Sequence, residues 1–255
     1  MLGLCVGSFV NMLMYRTAVR YDLIKNPLRG VGKKQITNKR RSFCDFCGRQ
    51  LKWYENVPVI SWLIQSGKSR CCKEKLPIAY PLLELSMGIL FVIYDMRYTL
   101  YDVGLMWGLG LVVITLLVFS AAFDAKYMIL PDFSTYILII LALVGLVFDE
   151  QNIVPYLLSA LGSVGFLGAL NVLTRGQGMG EGDVKLAVFM GLFLGWPKIL
   201  LALYVAFVAG AVVGLVLMSI KRHKARAPIP FGPFLIGGLM VAWWWGEKVV
   251  LPFFN

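Results

Sequence analysis

Residues 178–185 read GMGEGDVK, with the apolar run IVPYLLSALGSVGFLGALNVL (153–173) before them and LAVFMGLFLGW (186–196) after them. Two acids and a lysine therefore sit among glycines between two stretches that belong in hydrocarbon. Ionisable groups at membrane depth are costly, and where a chain keeps them they point to function. The reading of this stretch decides the fold as well: if its flanks are membrane helices, so are the other runs of the same kind.

The composition supports that reading. Of 255 residues, 58% are hydrophobic and 15% charged, with mean hydropathy +0.72. The apolar residues come in runs rather than in a two- or 3.6-residue pattern, and runs of about 18 or more read as membrane-spanning helices. Eight spans are predicted, at 1–18, 77–95, 103–123, 133–149, 153–174, 184–196, 198–219 and 231–252, the first and sixth short. The expected fold is an all-α polytopic membrane protein of about eight transmembrane helices with a cysteine-containing cytoplasmic loop lobe. It divides into 1–76, the first span plus a basic loop, and 77–255, a seven-helix membrane domain. Gly162, Gly165 and Gly168 in one span, and Gly210 and Gly214 in another, are expected to allow close helix contact. No cleavable leader is expected, since MLGLCVGSFVNML runs directly into MYRTAVR.

The net charge is +11, and its distribution argues for lipid headgroups rather than nucleic acid as the partner. Fifteen of the 25 Lys and Arg residues lie between Arg16 and Lys75, and four more in KRHKAR (221–226). With the N-terminus outside, only Arg97, Lys198 and Lys248 of the 25 fall on the outer side. The same parity puts AFDAKYMILPD (122–132) and GMGEGDVK on one inner, cytoplasmic face.

That coincidence pairs Asp124 with Asp183. Two carboxylates held together share a proton, so one can activate water while the other protonates a scissile carbonyl. The bland alternative is that Asp183 caps its helix, as Asp132 is expected to do after Pro131. Gly180 and Gly182 favour more than a cap, because glycine lets a substrate chain approach closely. Glu181 and Lys185 complete this candidate active-site loop. His223 is the only histidine and lies in a basic cluster, which leaves Ser–His and Cys–His chemistry without support. A dinucleotide-binding G-x-G-x-x-G is excluded, because Asp183 occupies the last glycine position.

Cys44 and Cys47 form a C-x-x-C pair, followed by the adjacent pair Cys71–Cys72. Two thiol pairs in a cytosolic loop point to a structural zinc site. Adjacent side chains point apart, however, so spacing alone leaves open whether all four thiols ligate one ion or stay reduced.

These residues resemble those of the type IV prepilin leader peptidases, integral-membrane aspartyl proteases of the GxGD kind. GSFVNMLMYR (7–16), FCDFCGRQLKWYENVPVISWL (43–63), YPLLELSMG (80–88) and FGPFL (231–235) follow one another as in that family. D-x6-P-D is matched by Asp124 with Pro131–Asp132, and GxGD by Gly180, Gly182 and Asp183. The resemblance implies removal of a short basic leader from type IV prepilins or pseudopilins, at the cytoplasmic face of the bacterial inner membrane. In many members it also implies N-methylation with S-adenosylmethionine; proteolysis needs no cofactor. The family's second cysteine pair is C-x-x-C, so GKSRCC aligns Ser69 with the third cysteine and Cys72 with the fourth. A basic leader calls for local negative charge, expected from Glu181 and from Glu55, Glu74 or Glu84. Two other readings keep the acidic pair: a GxGD intramembrane protease with another substrate, and a transporter using Asp124 and Asp183 as ion or proton ligands.

Overall fold

The computed structural model describes residues 1–24, 42–44, 46–98, 104–148, 152–176, 178–219 and 229–254. Residues 25–41 of the basic segment and KRHKAR (221–226) with His223 lie outside the described residues. Nine α-helices and one 3-10 turn are found among the described residues, with two isolated β-bridges and no strand. The chain forms two compact units, 1–115 and 116–255.

The first unit contains α1 (Leu2–Arg20), the 3-10 turn Trp53–Asn56, α2 (Ile60–Ile64), α3 (Ala79–Tyr98) and the opening of α4 (Leu105–Tyr127). Its helix pair rests on a G-x-x-x-G that went unread in the sequence. A Cβ on Gly3 would stand 2.8 Å from the Met87 carbonyl oxygen, and one on Gly7 would stand 2.7 Å from Glu84 Cα. In a membrane, such close backbone approach replaces the hydrophobic drive that water supplies elsewhere. The cysteine lobe is fixed to this pair by Phe43, buried against Val19 and edge-on to Tyr15 at 5.8 Å.

Two buried acids pin the lobe further. Glu55 pairs with Arg49 at 2.7 Å and accepts the Lys52 N–H at 2.8 Å. Glu84 accepts the Val59 N–H at 2.7 Å, at a residue held in the left-handed region (φ 61°). A β-branched residue there is an outlier that its surroundings must hold in place. Glu55 and Glu84 are thus buried and tied into the fold. Glu74 and Glu181 remain exposed.

The second unit contains the end of α4, α5 (Asp132–Phe148), α6 (Val154–Leu173), α7 (Glu181–Leu194), α8 (Lys198–Ser219) and α9 (Gly232–Phe254). Helix α6 packs on α7, α8 on α9, and α5 on α7. The tight approaches are Gly191 against Ala160 and Gly238 against Ala202. Of the glycines expected to serve this purpose, Gly210 does so, since a Cβ there would stand 3.0 Å from the Phe231 ring. Gly162 and Gly165 face open space, and a Cβ on Gly168 or Gly214 would meet only ordinary contacts at 3.9 and 3.8 Å. The reason is visible at Gly162, which lines a 930 Å³ groove between α6 and α8 instead of a helix contact.

Each expected span coincides with a helix, but eight complete spans are not found. By length and composition, five helices can cross a membrane among the described residues: α1, α3, α4, α6 and α8. Helix α5 is apolar but has 17 residues. Helix α7 has 14, about 21 Å at 1.5 Å per residue, against a hydrocarbon core of about 30 Å. Its end is set by Gly195 (φ 66°), whose N–H bonds the Gly191 carbonyl. These helices make the chain an integral membrane protein.

Candidate active site

Asp124 lies in the last turn of α4 and Asp183 is the third residue of α7. Both belong to the second unit and both are buried, at 6% and 8% exposure, although each carries a carboxylate. Asp124 Oδ2 accepts the N–H of Gly232 at 3.0 Å. Helix α9 begins at Gly232, so this donor is one of the N–H groups that a helix start leaves without an internal partner. Asp183 Oδ2 accepts the Gly180 N–H at 3.2 Å, reaching back from the third helical position. The capping role is therefore real, but it occupies one oxygen only.

For both acids the second oxygen has no hydrogen bond among the described residues. Each buried carboxylate is thus fixed through one oxygen by a backbone N–H at a helix start.

The local sequence explains the placement. After Asp124 the chain turns through Met128 (φ 57°), whose N–H bonds the Asp124 carbonyl at 2.7 Å. Pro131 then leads into α5, where Ser134 donates to the Pro131 carbonyl (2.7 Å) and shares a buried hydrogen bond with Ser120 of α4 (2.9 Å). Leu130 from this turn sits over Gly182: a Cβ there would be 2.9 Å from Leu130 Cβ. The glycine thus lets the two acid-bearing segments close on each other. Gly180 is tight for a second reason, since its Cβ would stand 3.3 Å from Asp183 Oδ2. On the far side, Asn171 donates to the Met179 carbonyl at 2.6 Å and Thr174 Oγ1 accepts the Gly178 N–H at 3.1 Å.

Lys185 is drawn away from the pair. Its Nζ bonds Asp132 Oδ1 at 2.6 Å, in a half-exposed ion pair beside Tyr136. Glu181 is exposed in the first turn of α7. Gly232 is the residue that reading the sequence missed. Its contribution is a backbone N–H, which no side-chain motif advertises; the signal available was a Gly-Pro at a helix start.

The four thiols also converge, in the first unit. Sγ atoms of Cys44, Cys47, Cys71 and Cys72 all lie within 4.8 Å of one another. The expectation that adjacent Cys71 and Cys72 would point apart does not hold, their sulfurs being 4.0 Å apart. Burial pushes the Cys44 thiol up, whereas the Glu74 backbone amide draws Cys72 down to about 7.

Two known families match this chain. Residues 1–98 match the bacterial peptidase A24 N-terminal domain, and residues 111–215 match the type IV leader peptidase family. A prepilin leader peptidase/N-methyltransferase of Xanthomonas campestris pv. campestris is 33% identical, covering 98% of this chain and 91% of the relative. Proteins of the same name from Stutzerimonas stutzeri (30% identical, 99% and 91% covered) and Pseudomonas aeruginosa (28%, 98% and 90%) align over the same extent. The chain belongs to the type IV prepilin leader peptidase family. No solved structure matches it. In this leader peptidase relative, the first matched region carries the four thiols and the second carries both buried aspartates.

Proposed function

We propose that the chain is a membrane-embedded aspartyl endopeptidase that removes the short basic leader from type IV prepilins or pseudopilins, with Asp124 and Asp183 as its catalytic pair. The observation that carries this reading is that each buried carboxylate is fixed by one backbone N–H and has, among the described residues, no hydrogen bond to its other oxygen. The cut is expected at the cytoplasmic face of the bacterial inner membrane, because basic residues concentrate on the side where the two acids lie.

In this reading the pair holds one proton and one water between its free oxygens. The ionised carboxylate takes a proton from water as its oxygen attacks the scissile carbonyl. The protonated carboxyl gives its proton to the carbonyl oxygen. Collapse of the resulting diol returns one proton to the pair and delivers the other to the leaving amine. The Gly180 and Gly232 N–H groups keep the carboxylates in place and stabilise their ionised forms. The two acids titrate as a unit, so the proton belongs to the pair. Gly180 and Gly182 leave room for an extended substrate segment. Exposed Glu181 supplies negative charge near a basic leader.

The family resemblance also implies two groups besides protein. Zinc would be held by Cys44, Cys47, Cys71 and Cys72, whose clustered thiols fit a four-coordinate soft site, and there it would staple the lobe. S-adenosylmethionine would supply the methyl group for the N-methyltransferase activity that the relatives' names carry. Among the described residues no glycine-rich turn joins a strand to a helix, so that kind of nucleotide cradle is not present for it.

The test is cleavage of a prepilin by the purified chain and by Asp124→Asn and Asp183→Asn, with folding checked by gel filtration in detergent. Loss of at least about 1000-fold in rate from each folded variant is expected. A folded variant that cuts near the wild-type rate would make that aspartate structural.

A further inference from the structure

The cysteine lobe is an internal repeat that its sequence conceals. Around the first thiol pair, Phe43 bridges Gln50, the Cys44 N–H bonds the Arg49 carbonyl (2.8 Å), and the Gly48 N–H bonds the Cys44 carbonyl (2.9 Å). Around the second, Lys68 bridges Lys75, the Ser69 N–H bonds the Glu74 carbonyl (2.8 Å), and the Lys73 N–H bonds the Ser69 carbonyl (2.9 Å). Every partner is displaced by the 25 residues that separate Cys44 from Ser69. The backbone dihedrals repeat too: Gly48 has φ 71° and Lys73 has φ 61°.

The repeat fixes what each residue replaces. Cys72 stands where Cys47 stands, and Lys73 where Gly48 stands. Ser69 takes the place of Cys44, and Cys71 takes the place of Phe46. The second knuckle has therefore lost the thiol at its first position and gained one two residues later. Ser69 is nevertheless buried at 4% exposure, with Oγ 2.9 Å from Cys71 Sγ and 3.5 Å from Cys44 Sγ. Cys71 Sγ lies 3.1 Å from Cys47 Sγ, and Cys44 Sγ lies 3.8 Å from Cys72 Sγ. Thiolates at about 2.3 Å from one tetrahedral zinc are about 3.8 Å apart, so small movements bring all four into one shell.

We infer that the metal ligand set has shifted register: Cys71 supplies the fourth thiolate from inside the second knuckle, and the Ser69 hydroxyl, at the vacated position, donates a hydrogen bond to sulfur. This deepens the zinc reading above and is independent of the aspartyl chemistry. Binding replaces four thiol protons, released to solvent, by four Zn–S bonds. The resulting double negative charge would lie in a segment that is rich in Lys and Arg, with Lys68, Arg70, Lys73 and Lys75 flanking the second thiol pair in sequence. The Ser69 hydrogen bond stabilises thiolate without competing for the metal.

The test uses the full chain in detergent, with zinc content per chain, affinity by chelator competition and the cobalt(II) absorption spectrum as readouts. Wild type should hold one zinc and give the tetrahedral tetrathiolate spectrum with cobalt. Cys71→Ser should lower affinity by at least about 100-fold, and Ser69→Ala by about 10-fold with the spectrum retained. The exchange Ser69→Cys/Cys71→Ser returns the thiol to the position of Cys44 in the repeat and should restore both affinity and spectrum. That variant keeps the inference testable if Cys71→Ser does not fold. Wild-type affinity in Cys71→Ser would overturn the assignment, as would failure of the exchange variant to recover. Wild type that binds no zinc and instead carries a Cys47–Cys71 disulfide by mass spectrometry would overturn it equally.

Discussion

The two clusters of chemistry-bearing side chains are assembled in opposite ways. The thiols are gathered by local turns, each knuckle closing on its own backbone hydrogen bonds, so their arrangement depends little on helix packing. The aspartates are gathered by helix ends: Asp124 finishes α4, Asp183 opens α7, and the N–H that fixes Asp124 belongs to α9. A site made of turns tolerates a change of register, because a neighbouring residue can reach the same point. A site made of helix ends does not, because moving a residue by one position turns it about 100° around the axis.

That difference can be broken or sharpened by substitution. Among substitutions that leave both aspartates in place, the largest effect is expected at Gly232→Ala. A Cβ there would stand 2.7 Å from Asp124 Oδ2, so the carboxylate must move while the N–H donor remains. Displacing a reacting group by about 1 Å costs on the order of 100-fold, so kcat should fall by roughly that factor with a smaller change in KM. Gly180→Ala, at 3.3 Å from Asp183 Oδ2, should cost less than Gly232→Ala; the reverse order in a kinetic assay would contradict the geometry.

Next in size is Gly7→Ala. The new methyl would meet Glu84 Cα at 2.7 Å, and forcing α1 from α3 should destabilise the chain by about 1–3 kcal/mol in thermal or denaturant unfolding. Gly165→Ala, facing open space, should change stability by no more than about 0.5 kcal/mol in the same measurement.

Metal removal addresses the thiol side of the comparison. A chelator should speed hydrogen exchange at the Gly48 and Lys73 amides, whose bonds hold the knuckles, and leave the Gly180 and Gly232 amides unchanged. Equal acceleration at all four would mean that the two sites share one cooperative unit.

The smallest effect is expected at Lys185→Ala. Its ion pair with Asp132 is half-exposed, and such pairs contribute about 0–1 kcal/mol. A large loss of activity would mean that Lys185 acts on substrate rather than on Asp132.

What could be read in advance follows the same division. Apolar runs located every long helix, and the acids at Asp124 and Asp183 stood out because charge is rare in such a chain. That the sixth span is short was legible from its apolar run, but what ends α7, the glycine conformation at Gly195, was not, because hydropathy does not register it. Gly162 and Gly165 looked like helix contacts, but helical spacing does not say which face meets a neighbour, and here α6 and α8 stand apart around the groove. The knuckle repeat was hidden because its constancy lies in backbone hydrogen bonds, while Ser69, Cys71 and Lys73 differ in side chain from Cys44, Phe46 and Gly48. Gly232 escaped for the same reason.

The central claim is that Asp124 and Asp183 act as one unit, and a double-mutant cycle on prepilin cleavage tests it most directly. Rates would be measured for Asp124→Asn, Asp183→Asn and the double variant, each shown to be folded. If the pair shares one proton and one water, the double variant should be about as slow as either single variant, since removing the second member of a broken unit costs little more. Losses that multiply in the double variant, or a single variant that keeps near wild-type activity, would contradict the shared-proton pair.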